Sequence, residues 1–157
     1  MRPQVRIAWS RGVRKPRGCT AQLVRAVVEA ARAVGGAAAP QGALSIVFVG
    51  DAELAQMHGE WLDDPSATDV ITFDLRGDVE LGGPEGELYI SVERAHAVAA
   101  RRKLDPLREL LLYVVHGVLH LAGHDDHEPH ARRRMRVAER RALAQLALAA
   151  PRGRRSS

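Results

Sequence analysis

Cysteine is all but missing from this chain of 157 residues: Cys19 stands alone. A single thiol closes no internal disulfide and supplies no paired-cysteine metal knot, so a disulfide scaffold and a zinc ribbon are both excluded. Aromatic residues amount to 4%, with two Phe and two Tyr. A nucleic-acid surface built mainly on stacked bases is therefore not encoded. Long apolar runs are absent too. The run over 110–115 has a buried-core length, well short of the roughly 20 residues a membrane span needs. Arginines recur through the first seventeen residues, where a secretory leader would carry an apolar segment. The expectation is a cytoplasmic protein with no membrane partner. Lysine is also scarce, nearly every base being arginine.

What is present is strongly polarised. Residues 1–34 carry eight bases against Glu29 alone, a net +7, and residues 131–157 carry nine arginines against Glu139 alone, a net +8. The middle, 35–130, holds seventeen acids against six bases, a net −11. Basic flanks around an acidic centre suit a protein that draws a polyanion along one rim while an acidic pocket takes cations; a solvated charged surface is the plain alternative. The length fits one domain over 1–150, with the arginine-rich 151–157 as a disordered basic tail.

Hydrophobic periodicity orders the chain as β-α-β-α-β-β-α-α-α. Alternation of Val5, Ile7 and Trp9 predicts a half-buried strand, and the β-branched run 43–50 a central one. Thr20 is positioned to cap a helix through Val34, and Asp51 to cap a second with Leu54, Met57 and Trp61 inward. Residues 69–75 and 87–92 read as two further strands joined by a Gly/Pro/acid-rich loop. Ser91 caps the next helix. Asp105-Pro106 then pairs a cap with proline at the first helical position, opening a helix apolar on several sides and therefore buried all round. Glu128-Pro129 starts the last helix, with Met135, Ala138, Ala142, Leu146 and Ala149 as its inner row. The expected fold is α+β: a single domain with a mixed four-stranded sheet packed against helices, and a metal site at the end of the buried central helix.

That site is the clearest signal. Five of seven histidines fall between 116 and 130, in HGVLHLAGHDDHEPH. His116 and His120 leave a helix on the same face one turn apart, where both imidazoles reach one ion. Gly123 gives the helix a place to end, so that the acids and imidazoles beyond it fold back toward that ion. A lone histidine on such a helix would be a satisfied core residue. Two of them, followed by His124, Asp125, Asp126 and His127, point to a metal, zinc first, one per chain. HExxH peptidases carry a glutamate after the first histidine; Gly117 stands there, which weakens a zincin-like peptidase reading to a minor alternative.

HGVLHLAGHDD closely resembles the HGxLHLxGYDH signature of the YbeY family, bacterial metal-dependent single-strand endoribonucleases of ribosomal RNA maturation. TDVITF (68–73) and GELYIS (86–91) are similar to that family's TDVLSF and GDIxIS, and the matches keep order and spacing from about 44 to 140. The resemblance implies metal ligands at His116 and His120 and a third ten residues after the first, at Asp126; His127, one residue on, is the alternative. It places Thr68 and Asp69 in the substrate cleft, although a strand-entry cap is an equal reading of that pair. It puts Leu62 where the family usually carries an arginine, and His124 in place of a tyrosine; His124 and His130 are expected at the surface. The reaction implied is metal-assisted hydrolysis of an RNA phosphodiester in rRNA processing and ribosome quality control. The partners would be single-stranded RNA or rRNA and the ribosomal small subunit or its assembly factors. The general base is Asp125, the non-ligating member of Asp126/His127, or a ribose 2′-hydroxyl. The rival is a ribosome-assembly factor binding RNA or protein, its metal structural and its nuclease activity small.

Overall fold

A computed structural model describes residues 4–62, 69–77 and 83–149. Four strands, β1 (Val5–Trp9), β2 (Leu44–Val49), β3 (Val70–Asp74) and β4 (Gly86–Ser91), form one sheet in the order β1-β2-β4-β3. β1, β2 and β4 are parallel, whereas β3 runs antiparallel to β4. Parallel neighbours cannot be joined by a tight turn. Helix α1 (Ala21–Gly35) therefore links β1 to β2, and α2 (Asp51–Leu62) with β3 separates β2 from β4. Three helices complete the described fold: α3 (Val92–Arg102), α4 (Pro106–Leu121) and α5 (Pro129–Ala149). The mixed sheet and its helices are those the sequence predicts.

The caps explain the boundaries. Thr20 Oγ1 accepts from the Leu23 amide, Ser91 Oγ from Arg94, and Asp105 Oδ1 from Leu107, each at 3.0–3.1 Å. Asp51 departs from its expected role. It is the first helical residue of α2; its carboxylate accepts from Ser91 Oγ and its amide donates to Glu93 Oε1, tying the start of α2 to the start of α3. The side chains of Trp61, Leu62 and Ala149, the loop residue Thr68 and the tail 151–157 lie outside what the structure describes.

One face of the sheet carries the main core. Leu44, Ile46 and Phe48 of β2 and Leu88 and Ile90 of β4 are fully buried. Against them lie Val24, Val27 and Val28 of α1 and Leu110, Val114, Val118 and Leu119 of α4, all within one cluster. The inner row of α5, Met135, Ala138 and Ala142, seals the far side of α4. The opposite face carries a small cluster of Val49, Leu54 and Ile71. Helix α4 is thus the central helix, buried as its all-round apolar pattern demands.

α4 approaches β4 closely at two points. A Cβ on Gly117 would come within 2.6 Å of Leu88 Cδ2 and 3.2 Å of Val70 Cγ1, and one on Gly86 within 2.8 Å of Leu121 Cδ1. Gly117→Ala is therefore expected to cost about 1–3 kcal/mol through overpacking. Gly59→Ala, at an open helical position, should be neutral or slightly stabilising. Urea unfolding of the two variants beside wild type measures both; equal midpoints for Gly117→Ala and wild type would refute the close packing.

Candidate metal centre

The last two turns of α4 carry His116 and His120, their ring centroids 4.7 Å apart and inclined at 72°. Both are half-buried and line a cleft of about 300 Å³ with Asp69, Val70 and Thr72 at the start of β3 and His58 of α2. The helix stops immediately after them. Gly123 takes φ +94°, its amide donates to His120 O, and the His124 amide donates to Leu119 O. This pair of bonds is the Schellman arrangement, which needs the left-handed conformation glycine adopts without strain. It reverses the chain and brings the next loop back across the end of α4.

The residue returned to the imidazoles is Asp126. Its Oδ2 lies 3.5 Å from His116 Nε2 and its Oδ1 3.7 Å from His120 Nε2. These separations exceed ordinary hydrogen-bond lengths. They lie near the ~3.4 Å edge of a tetrahedron whose ligands sit about 2.1 Å from a central ion. His127 instead turns outward, 85% exposed, with Nε2 3.6 Å from Asp125 Oδ1. Asp125 accepts from the His127 amide, and that bond first of all holds its carboxyl below the usual carboxylate range. Asp125, Asp126 and His127 form a second grouping within ligand reach of one another, but it lacks the helical imidazole pair and two of its members are exposed.

A residue the sequence reading overlooked completes the arrangement. His116 Nδ1 donates to Glu139 Oε2 at 2.7 Å, across from α5, and that carboxylate is only 13% exposed. The bond fixes the tautomer: the proton sits on Nδ1, and the lone pair on Nε2 points toward Asp126. Burial pushes the His116 pKa down, but the hydrogen bond and charge of Glu139, with Asp126 and Asp69, outweigh it and the net shift is upward. Burial, then the neighbouring His116, holds His120 below its ordinary value. Two imidazole nitrogens and a carboxylate oxygen, all within 4.8 Å of one another and backed by a second carboxylate, are a donor set that fits a divalent cation. One signal for Glu139 existed: it is the single acid in the arginine-rich stretch after residue 130.

Of the remaining expected positions, Asp69 lines the cleft, Thr68 lies outside the described residues, and the Leu62 side chain is likewise undescribed. His130 is exposed as expected, whereas His124 is half-buried, drawn in by the turn its amide closes. His58, not anticipated, stands on the wall of the cleft.

The family model described as Endoribonuclease YbeY matches residues 14–147. The chain belongs to the YbeY endoribonuclease family. It is 38% identical over 134 residues to Endoribonuclease YbeY of Rhodopirellula baltica, covering 83% of this chain and 66% of that one. It is 39% identical over 106 residues to Endoribonuclease YbeY of Chlamydia caviae, covering 64% and 67%. The chain thus spans about two thirds of the length of these curated relatives. The solution structure of TM1509 from Thermotoga maritima superposes with a TM-score of 0.59 over 97% of this chain and 100% of that one, at 20% identity, which shows a shared fold. The three motifs read from the sequence as YbeY-like all fall inside the matched span.

Three variants test the donor set and its support. Asp126→Ala is expected to strip most divalent metal from the purified protein while His127→Ala retains it, by elemental analysis; the opposite order would hand the third position to His127. Glu139→Gln should weaken metal binding about 10- to 100-fold, read by competition with a chromogenic chelator, because it loosens the orientation of His116 rather than removing a ligand.

Proposed function

We propose that this protein is a divalent-metal-dependent endoribonuclease that cuts single-stranded ribosomal RNA during rRNA maturation and ribosome quality control. It would act in the cytoplasm, on the ribosomal small subunit or beside its assembly factors. The observation that carries the reading is the convergence of His116, His120 and Asp126 on one point at the floor of an open cleft, in a chain of the YbeY family. No helix among the described residues is long and apolar enough to cross a membrane.

The three residues would hold one cation per chain, zinc being the ion best matched to two imidazoles and a carboxylate. Such an ion supplies Lewis acidity toward water and a phosphoryl oxygen. The protein's own groups do the rest. Glu139 holds the proton on His116 Nδ1 and so keeps Nε2 directed into the cleft. Asp69 and Asp126 make the site anionic, which repels an RNA phosphate until a cation offsets them. For the proton taken from the attacking nucleophile, His127 and His58 on the cleft wall and Asp125 beside Asp126 are the groups at hand, with a ribose 2′-hydroxyl as the internal alternative.

The geometry favours this over the two rivals. A structural metal is normally closed off by four protein ligands. Here three donors converge among the described residues and the cleft stays open. A peptidase of the HExxH type needs a glutamate where Gly117 presses on Leu88, and no side chain fits there.

Metal-loaded protein is expected to cleave single-stranded rRNA, and His116→Ala to lose about 10²-fold or more, since a metal's contribution of several kcal/mol is worth a decade of rate per 1.4 kcal/mol. Gel analysis of a 5′-labelled RNA reads both. Equal cleavage by the two preparations would mark a contaminating nuclease and remove the enzyme reading.

A further inference from the structure

α3 and α4 run antiparallel across the short turn at 103–105, and a second cleft of about 280 Å³ opens between them. Its α3 wall carries Arg94, Arg101 and Arg102. Seven residues make two helical turns, about 10.5 Å, so Arg94 and Arg101 share one face. Because the helices are antiparallel, the first turn of α3 lies level with the later turns of α4, which puts Arg94 at the His116 end and the other two arginines toward Glu109. His116 and Asp69 line this cleft as well as the one at the metal centre, so the two are continuous around the imidazole.

Three acids, Asp69, Glu109 and Glu139, line the cleft beside the three arginines, but among the described residues none is paired with them. Glu139 is engaged by His116, and Glu109 is 6% exposed in the α4 wall. Among the described residues, none of the three guanidiniums has a carboxylate within ion-pair distance. Three unpaired arginines along a groove that leads out of a catalytic cleft form a track for successive phosphates, since each fork matches a phosphate's oxygens. The one aromatic residue in the groove, Tyr113, is 5% exposed and has no free ring face to stack a base. Recognition there rests on backbone charge.

We propose that this groove binds the sugar-phosphate backbone of single-stranded RNA on one side of the cleaved bond, Arg94 taking the phosphate nearest the centre and Arg101 and Arg102 those farther out. The proposal rests on the nuclease reading for its substrate class, and its test separates the two. Zinc-loaded full-length protein is titrated onto a fluorescent 2′-O-methyl oligouridine 12-mer, checked intact on a gel, across a range of salt. Wild type is compared with the triple variant R94Q/R101Q/R102Q, with the exposed pair R101Q/R102Q, and with a charge-matched control at exposed arginines that do not line the groove, R6Q/R11Q/R17Q.

Single strands lose about 0.7 of log-log salt slope per phosphate contact removed. The triple variant should therefore lose about 2 of slope and more than tenfold in affinity, and the pair about 1.4, while the control shifts much less. In cleavage assays the triple variant should raise KM on a 12-mer RNA far more than it lowers kcat. Unchanged slopes in both variants, or equal losses in the control, would overturn the groove and leave the nuclease reading intact. Wild type that binds with the full slope but cleaves nothing would overturn the nuclease reading and leave the groove standing.

Discussion

The close contact between α4 and β4 is the constraint from which the rest of the site follows. Gly117 lets the helix settle onto Leu88, and Gly86 lets Leu121 settle onto the strand, so the last two turns of α4, which carry the imidazoles, are seated on β4. Fully burying Leu110, Val114, Val118 and Leu119 contributes about 1.5–3 kcal/mol each relative to exposure, an upper bound because the unfolded chain is itself partly collapsed. A helix so fixed cannot rotate. One residue of slip would turn it by 100° and bury both imidazoles in hydrocarbon. Seated as it is, it leaves His116 and His120 25% and 29% exposed at the cleft, positioned without loss of side-chain freedom at the moment of binding.

Charge is arranged around that seat in two shells. Next to the imidazoles stand carboxylates, Asp126 in the loop, Glu139 on α5 and Asp69 before β3, which together lift the His116 pKa against the opposing pull of burial. Farther out come arginines on α3 and α5. This does not simply repeat the linear order, since Glu139 comes from the basic stretch after 130 and the α3 arginines from the acidic middle. In the fold, Asp69, Asp126 and Glu139 stand around the imidazoles, and Arg94, Arg101 and Arg102 line the cleft that adjoins them, an arrangement that suits a cation beside a polyanion.

Much of this was legible because it is local. Caps at Thr20, Ser91 and Asp105, the proline at 106 and the 3.6-residue pattern of 107–121 each depend on neighbours within a turn or two, and the structure has them as read. The histidine pair was legible for the same reason. What could not be read is tertiary. Glu139 meets His116 across twenty-three residues, through α5 packing on α4; standing alone among arginines marks it as unusual, but nothing local names its partner. The strand order β1-β2-β4-β3 is equally non-local. Asp51 joins two helix starts instead of capping its own because its carboxylate finds Ser91, forty residues on. The choice between Asp126 and His127 turns on where one loop points, and in this fold that loop brings the Asp126 carboxylate near both imidazoles.

The same glycine that seats the helix also limits its chemistry. On a helix with histidines at i and i+4, residue i+1 lies about 100° around from the first ligand, and in this fold that direction is the sheet. A glutamate there would have to displace Leu88 and Val70 and bury a carboxylate beside them without a partner, at a cost of several kcal/mol. The position that serves as base in a helical metallopeptidase is thus consumed by packing, and proton transfer must come from residues across the cleft or from the substrate itself. A centre without a built-in base on its own helix suits a substrate that carries a nucleophile of its own. A phosphodiester flanked by a ribose hydroxyl is such a substrate, and a peptide bond is not.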